Sequence, residues 1–197
     1  MLTLRCCRVL RTPKTGSKWL TAALEASCKY FHNVGNGAGQ GPNGYHATLR
    51  NVGSSPLKTV AFVRHPFTWY GSYWNHRVRL GWKPEEHPFD ATCADPVFSE
   101  FMKKAIDHFP GYCSRSQAMW VGEAESGKPI DFVGRFEHLH RDTTQFLELF
   151  REPYDSQLLL ATAPRNGSDY QKHPAELSPS MKERIEQTDC GIINRFY

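Results

Sequence analysis

The sequence predicts an α/β fold, a parallel β-sheet flanked by helices, and three observations lead there. Short β-rich runs alternate with segments whose apolar residues recur at helical spacing, the pattern of βα units whose crossover helices cover the faces of a parallel sheet. Two of the runs break directly into turn sequences, residues 11–17 and 64–66, that open helices. The length of 197 residues, 40% of them hydrophobic and 22% charged, suits one globular domain with a real core, so a single domain over residues 1–197 is expected.

Residues 2–10 (LTLRCCRVL) read as the first strand and 11–17 as the turn after it. Ser17 stands at the N-cap of a helix over 17–31, in which Leu20, Ala23, Leu24 and Cys28 share a face. Residues 33–44 (NVGNGAGQGPNG) hold five glycines and one proline, a loop without the GxGxxG order of a dinucleotide fingerprint. Residues 58–63 (KTVAFV) are a second strand, ended by Arg64-His65-Pro66, and Pro66 suits the first turn of a helix to about residue 79. Residues 80–96 read as a loop rich in Pro and acids, 97–109 (VFSEFMKKAIDHF) as a helix, 131–134 as a short strand and 137–150 as the helix after it. Residues 153–177 read as irregular, and 179–188 as the last helix.

No apolar run approaches the roughly 20 residues that span a bilayer. Residues 1–10, interrupted by Arg5 and Arg8, lack the apolar core of a signal peptide. The expectation is a soluble, cytoplasmic protein with neither membrane nor nucleic acid as partner. The six cysteines form no CxxC pair, and no metal-ligand spacing emerges among them and the nine histidines, so no metal is expected. Charge is uneven: residues 1–83 carry 12 Lys or Arg against one acid, Glu25, whereas residues 84–197 carry 12 against 19. The basic half creates a field that gathers anions without specifying which.

Residues 11–19 (RTPKTGSKW) concentrate that charge between a strand and a helix. Gly16 allows a tight turn, and N–H groups at the helix start bind phosphate or sulfate. Lys14 and Lys18 add positive charge, and Thr15 and Ser17 add hydroxyl donors. A merely solvated turn has the same composition. The nucleotide-triphosphatase pattern GxxxxGK[ST] is absent, since Arg11 stands five residues before Gly16 and Lys14 precedes the glycine, which counts against an ordinary kinase or ATPase. In residues 63–73 (VRHPFTWYGSY), Arg64 closes a strand and Ser72 follows eight residues later, about two turns into a helix. Guanidinium and hydroxyl can then meet one phosphate, the arginine through a bidentate, charge-assisted contact.

The two motifs in this order resemble the donor-binding loops of the sulfotransferases that use 3′-phosphoadenosine 5′-phosphosulfate (PAPS), with segments closest to the carbohydrate-type branch. The resemblance implies a P-loop-like sheet and a donor site. By that resemblance Lys14 would contact the bridging oxygen of the donor, Thr15, Gly16, Ser17 and Lys18 would wrap the 5′-phosphate, Trp19 would stack on adenine, and Arg64 and Ser72 would hold the 3′-phosphate. Lys18 stands where the family often has Thr or Ser, and His65 replaces the usual Asn. Residues 131–139 (DFVGRFEHL) with Asp142, and residues 166–197, are also similar to the family, while residues 80–125 match least. Acceptor specificity is expected there and in the glycine loop. Arg165 and Lys172, within 165–173 (RNGSDYQKH), are candidates for a lid over the 3′-phosphate.

Sulfuryl transfer needs a base for the acceptor proton. His46, between the two motifs, is the candidate because some members of the family carry a catalytic histidine at a comparable place. Glu25 is the alternative, and Gln117 is a candidate for orienting the acceptor. The implied reaction transfers a sulfuryl group from PAPS to a hydroxyl of a carbohydrate or small-molecule acceptor, leaving adenosine 3′,5′-bisphosphate. The competing readings are a nucleotide or sugar kinase with an atypical P-loop, and a non-catalytic module that binds an anionic polymer.

Overall fold

The computed structural model describes residues 1–34, 45–52, 55–122, 130–164 and 172–197. Its strands are β1 (Leu2–Thr3), β2 (Cys7–Val9), β3 (His32–Asn33), β4 (Lys58–Val63) and β5 (Phe132–Arg135). Its helices are α1 (Ser17–Ser27), α2 (Pro66–Leu80), α3 (Pro88–Cys93), α4 (Phe98–His108), α5 (Tyr112–Val121), α6 (Leu139–Leu149), α7 (Ser156–Ala161), α8 (Pro179–Thr188) and α9 (Cys190–Phe196), with a 3-10 turn at Phe136–His138. Among the described residues no helix is long and apolar enough to cross a membrane. The chain falls into two units, Met1–Arg64 with Gln117–Asn166 and His65–Ser116 with Gly167–Tyr197.

The first unit is α/β. Its five strands form one sheet of order β3-β1-β2-β4-β5. β2, β4 and β5 are parallel, with Val9 opposite Val60 and Val63 opposite Arg135. β1 runs antiparallel to both β2 and β3, so the sheet is mixed where an all-parallel one is expected. The cause is a break inside residues 2–10. The Leu4 N–H donates to the Cys7 carbonyl (2.8 Å), and the Glu152 carboxylate accepts the N–H groups of Arg5 (3.0 Å) and Cys6 (2.7 Å). A tight turn whose donors are satisfied in this way makes a hairpin of β1 and β2.

Leu20, Ala23 and Leu24 of α1, Phe146 and Leu147 of α6 and Leu159 of α7 bury against Cys7, Val9, Val60 and Phe62 of the sheet in one core. Fully burying a Leu, Val or Phe side chain is worth about 1.5–3 kcal/mol. α1 stops at Ser27, short of residue 31, because Cys28 turns extended (φ −103°, ψ 124°) and bridges Tyr154. The stretch 153–177 is not all irregular. Asp155 caps α7, its carboxylate accepting from the N–H groups of Gln157 and Leu158.

The second unit is helical around an aromatic core of Trp69, Tyr70, Trp74, Phe89, Phe98 and Phe101 with aliphatic neighbours. α2 starts on Pro66, and the His65 ring accepts the Phe67 N–H (3.3 Å) as N-cap. The predicted loop 80–96 is organised around buried Asp90, which pairs with Arg77 (2.8 Å) and accepts from the Tyr73 hydroxyl (2.6 Å) and the Lys83 N–H (2.9 Å). α3 forms within this loop. A second buried carboxylate, Asp189, accepts from the Tyr70 hydroxyl (3.0 Å) and the Ser114 N–H (2.7 Å). Burial pushes Asp189 above the usual carboxylate range, against the opposing effect of these hydrogen bonds.

Candidate functional site

β2 and β4 are parallel neighbours, so their carboxyl ends lie at one edge of the sheet, the place where open α/β sheets form ligand sites. The chain leaves β2 through a tight turn. Leu10 still donates to the Val60 carbonyl (2.8 Å), Thr12 N–H returns to the Leu10 carbonyl (3.2 Å), and the Thr15 hydroxyl donates to the Thr12 carbonyl (2.8 Å). Lys14 (φ 67°) and Gly16 (φ 81°) both adopt left-handed backbone. For a lysine that conformation costs roughly 1–2 kcal/mol, and strain of this kind concentrates at functional loops.

Gly16 itself, rather than Ser17, is the N-cap of α1, and it caps without a side-chain hydrogen bond. The intrahelical ladder starts with Leu20 N–H on the Gly16 carbonyl (3.0 Å), so the N–H groups of Ser17, Lys18 and Trp19 have no acceptor within the helix. The first turn contains no acidic residue. An 11-residue helix thus directs its positive end into a turn carrying Lys14 and, exposed on the first turn, Lys18. Positive charge and free-standing N–H donors together are the chemistry that suits an anion.

Arg64, at the end of β4, is 7% exposed. Its Nη1 donates to the Lys14 carbonyl (3.2 Å), and its guanidinium carbon lies 3.9 Å from the centre of the Phe136 ring. Its backbone is held from both sides by Gln117, whose Oε1 accepts the Arg64 N–H (2.7 Å) and whose Nε2 donates to the Arg64 carbonyl (2.9 Å). Gln117 is fully buried, so the structure makes it a partner of Arg64 and not the acceptor-orienting residue expected from sequence.

His46 reaches the same end of β2. Its Nδ1 lies 2.6 Å from the Arg11 carbonyl. A carbonyl only accepts, so Nδ1 carries the proton and Nε2 carries the lone pair. Fully buried Arg11 also fixes the neighbouring backbone, donating through Nε to the Tyr45 carbonyl (3.1 Å) with its guanidinium 3.5 Å from the centre of the Tyr45 ring. Burial pulls His46 below its ordinary value of 6.5, with the Arg11 charge acting the same way and the bond to the Arg11 carbonyl opposing it.

Thr15 is buried, and its hydroxyl closes the turn instead of facing outward. Trp19 is a core residue, 3% exposed, with Nε1 donating to the Thr162 carbonyl (3.0 Å) and its ring 4.2 Å from that of His140. It offers no face for adenine. Glu25 is exposed on α1, eight residues after Ser17 and so about 12 Å along the axis from the turn. Ser72 lies in the second unit, on the buried side of α2, and Lys172 is exposed in that unit. Arg165 and the glycine-rich residues 35–44 lie outside the described residues.

Sequence reasoning did not single out Phe136 as the platform under Arg64 or assign Arg11 a part in holding His46. An arginine directly after an apolar strand was the available signal for Arg11, while no local pattern marks the partner of Gln117, 53 residues away in sequence. Comparison with protein-family models, with curated proteins and with solved structures finds no match to this chain.

Proposed function

We propose that the protein is a sulfotransferase that moves a sulfuryl group from PAPS to an acceptor hydroxyl, on a carbohydrate by the character of its sequence segments. One observation carries the reading. The N-terminus of α1, capped by Gly16 without a side-chain hydrogen bond, with Lys14 in left-handed backbone and Arg64 bonded to the Lys14 carbonyl, forms a positive cradle at the carboxyl ends of two adjacent parallel strands.

In this reading the N–H groups of Ser17 and Lys18 hold the 5′-phosphate, and the Lys14 ammonium faces the oxygen that joins phosphate to sulfur. The acceptor oxygen bonds to sulfur as the bond from sulfur to that bridging oxygen breaks. Lys14 offsets the charge arriving on the departing phosphate, and His46 Nε2 takes the hydroxyl proton. The products are a sulfate ester and adenosine 3′,5′-bisphosphate, and the proton passes from His46 to solvent. As in phosphoryl transfer, positioning and charge stabilisation do most of the catalysis. Arg64 is assigned to the 3′-phosphate.

Isothermal titration with adenosine 3′,5′-bisphosphate and adenosine 5′-monophosphate tests the reading. A charge-assisted hydrogen bond of about 1.5–3 kcal/mol makes the bisphosphate bind roughly 10–100-fold more tightly. Equal affinities would remove the basis for a PAPS site and favour a general anion-binding module.

A further inference from the structure

We infer that Gln117 is a positioning residue for 3′-phosphate recognition, acting through the backbone of Arg64. This inference rests on the reading above, in which Arg64 meets the 3′-phosphate.

β4 ends at Val63, so Arg64 is the first residue past the parallel ladder, where a peptide group commonly turns to water. Arg64 is 7% exposed and Gln117 is fully buried, so neither backbone group has that option. The primary amide of Gln117 supplies what a neighbouring strand would, an acceptor for the Arg64 N–H at 2.7 Å and a donor to the Arg64 carbonyl at 2.9 Å. Both bonds converge on one residue and extend the sheet by one step beyond β4. With the backbone fixed, the guanidinium has a defined origin, from which it lies over Phe136 and reaches the Lys14 carbonyl. The chain leaves the first unit after Arg64 and returns to it at Gln117, so the pair also joins the two points where that unit's chain is interrupted.

The chemistry is demanding. Only a side chain with a donor and an acceptor in one plane, at glutamine's reach, satisfies both backbone groups. Asparagine is one carbon shorter, leucine and methionine offer neither bond, and an ionised glutamate sets a second oxygen against the Arg64 carbonyl. Protonated, that glutamate regains the donor, and burial raises the pH at which it does so. The Arg64 guanidinium belongs to the residue that this side chain holds, and Arg115 stands two residues before it; both positive charges favour the ionised form and lower the pH at which the proton returns.

The experiment compares wild type, Gln117→Met and Gln117→Glu in the full chain. Two readouts are used: the affinity ratio of adenosine 3′,5′-bisphosphate to adenosine 5′-monophosphate, and hydrogen exchange of the Arg64 amide without ligand. Gln117→Met is expected to exchange the Arg64 amide faster and to reduce the affinity ratio about tenfold, with monophosphate binding retained. Gln117→Glu is expected to show a reduced ratio at pH 8 that returns toward the wild-type ratio, measured at the same pH, on acidification to pH 5.5. A loss of affinity equal for both ligands, or an unchanged ratio in both variants, overturns the inference. If Gln117→Met does not fold, the pH-dependent recovery in Gln117→Glu decides alone, and its absence overturns the inference. A wild-type protein that does not distinguish the two nucleotides overturns the PAPS reading, and this assignment falls with it. That failure is visible before any variant is made.

Discussion

Replacing Gly16 with alanine probes the turn at its tightest point. Gly16 has φ 81°, and a Cβ built there would sit 2.6 Å from Leu139 Cδ2 and 3.2 and 3.3 Å from Phe136 Cδ2 and Cε2. The left-handed backbone alone costs an alanine roughly 1–2 kcal/mol. The Leu139 methyl is the end of a flexible chain and can rotate away, but the Phe136 ring lies under the Arg64 guanidinium and gives less easily. Overpacking of this kind costs about 1–3 kcal/mol, so Gly16→Ala is expected to lose about 2–5 kcal/mol in all. Urea denaturation read as a shift in midpoint at constant slope measures it. Gly191→Ala is the control, because nothing lies within 4 Å of the Cβ position there. In α9 that change is expected to be neutral or to stabilise by up to about 1 kcal/mol. A Gly16→Ala protein within about 0.5 kcal/mol of wild type would show that the turn is neither strained nor packed against Phe136, and the geometry argued for the Lys14 loop would fail.

Lys14→Ala is expected to lower kcat by about 10²–10³-fold while donor binding changes much less, as for loss of one group facing developing charge; near-normal turnover would remove Lys14 from catalysis. Arg64→Ala is expected to weaken adenosine 3′,5′-bisphosphate binding roughly 10–100-fold and adenosine 5′-monophosphate binding little. Titration calorimetry with the two nucleotides measures both. His46→Ala is expected to lower kcat by about 10²–10⁴-fold. Because the folded protein holds His46 below 6.5, protonation is disfavoured and the base stays neutral at pH 6.5, so the acidic limb of the rate profile falls below that value. The unfolded chain takes up this proton first, so the same shift removes stability as pH drops below about 6.5. An acidic limb that persists unchanged in His46→Ala would assign it to another group.

What could be read from sequence was what is decided locally. Gly16 and Arg64 sit where strand, turn and helix signals meet, and turn chemistry depends on a few adjacent residues, so the turn at 11–17 and the boundaries of β4 and α2 were legible. The antiparallel β1 was not, because it depends on Glu152 reaching back to the N–H groups of Arg5 and Cys6. No local pattern reports a carboxylate arriving from 147 residues away. Trp19 shows a different failure. Its register with Leu20, Ala23 and Leu24 already placed it on the buried stripe of α1, and periodicity was the better guide there than motif position. α3 and α7 escaped because each is only six residues long and is ordered by packing and a cap more than by its own pattern. His46 was placed by chemical need and chain order. Its tautomer required the Arg11 carbonyl, which only the folded chain brings near.

Transfer of a sulfuryl group, as proposed, is measured directly by incubating the protein with isotopically labelled PAPS and a panel of glycans and small hydroxyl compounds, with products read by mass spectrometry. A sulfate ester is expected on at least one acceptor, formed one for one with adenosine 3′,5′-bisphosphate and about 10²–10³-fold more slowly in Lys14→Ala. Tight binding of the bisphosphate with no acceptor sulfated across the panel and no enzyme-dependent consumption of PAPS would contradict it, leaving a nucleotide-binding protein without the proposed chemistry.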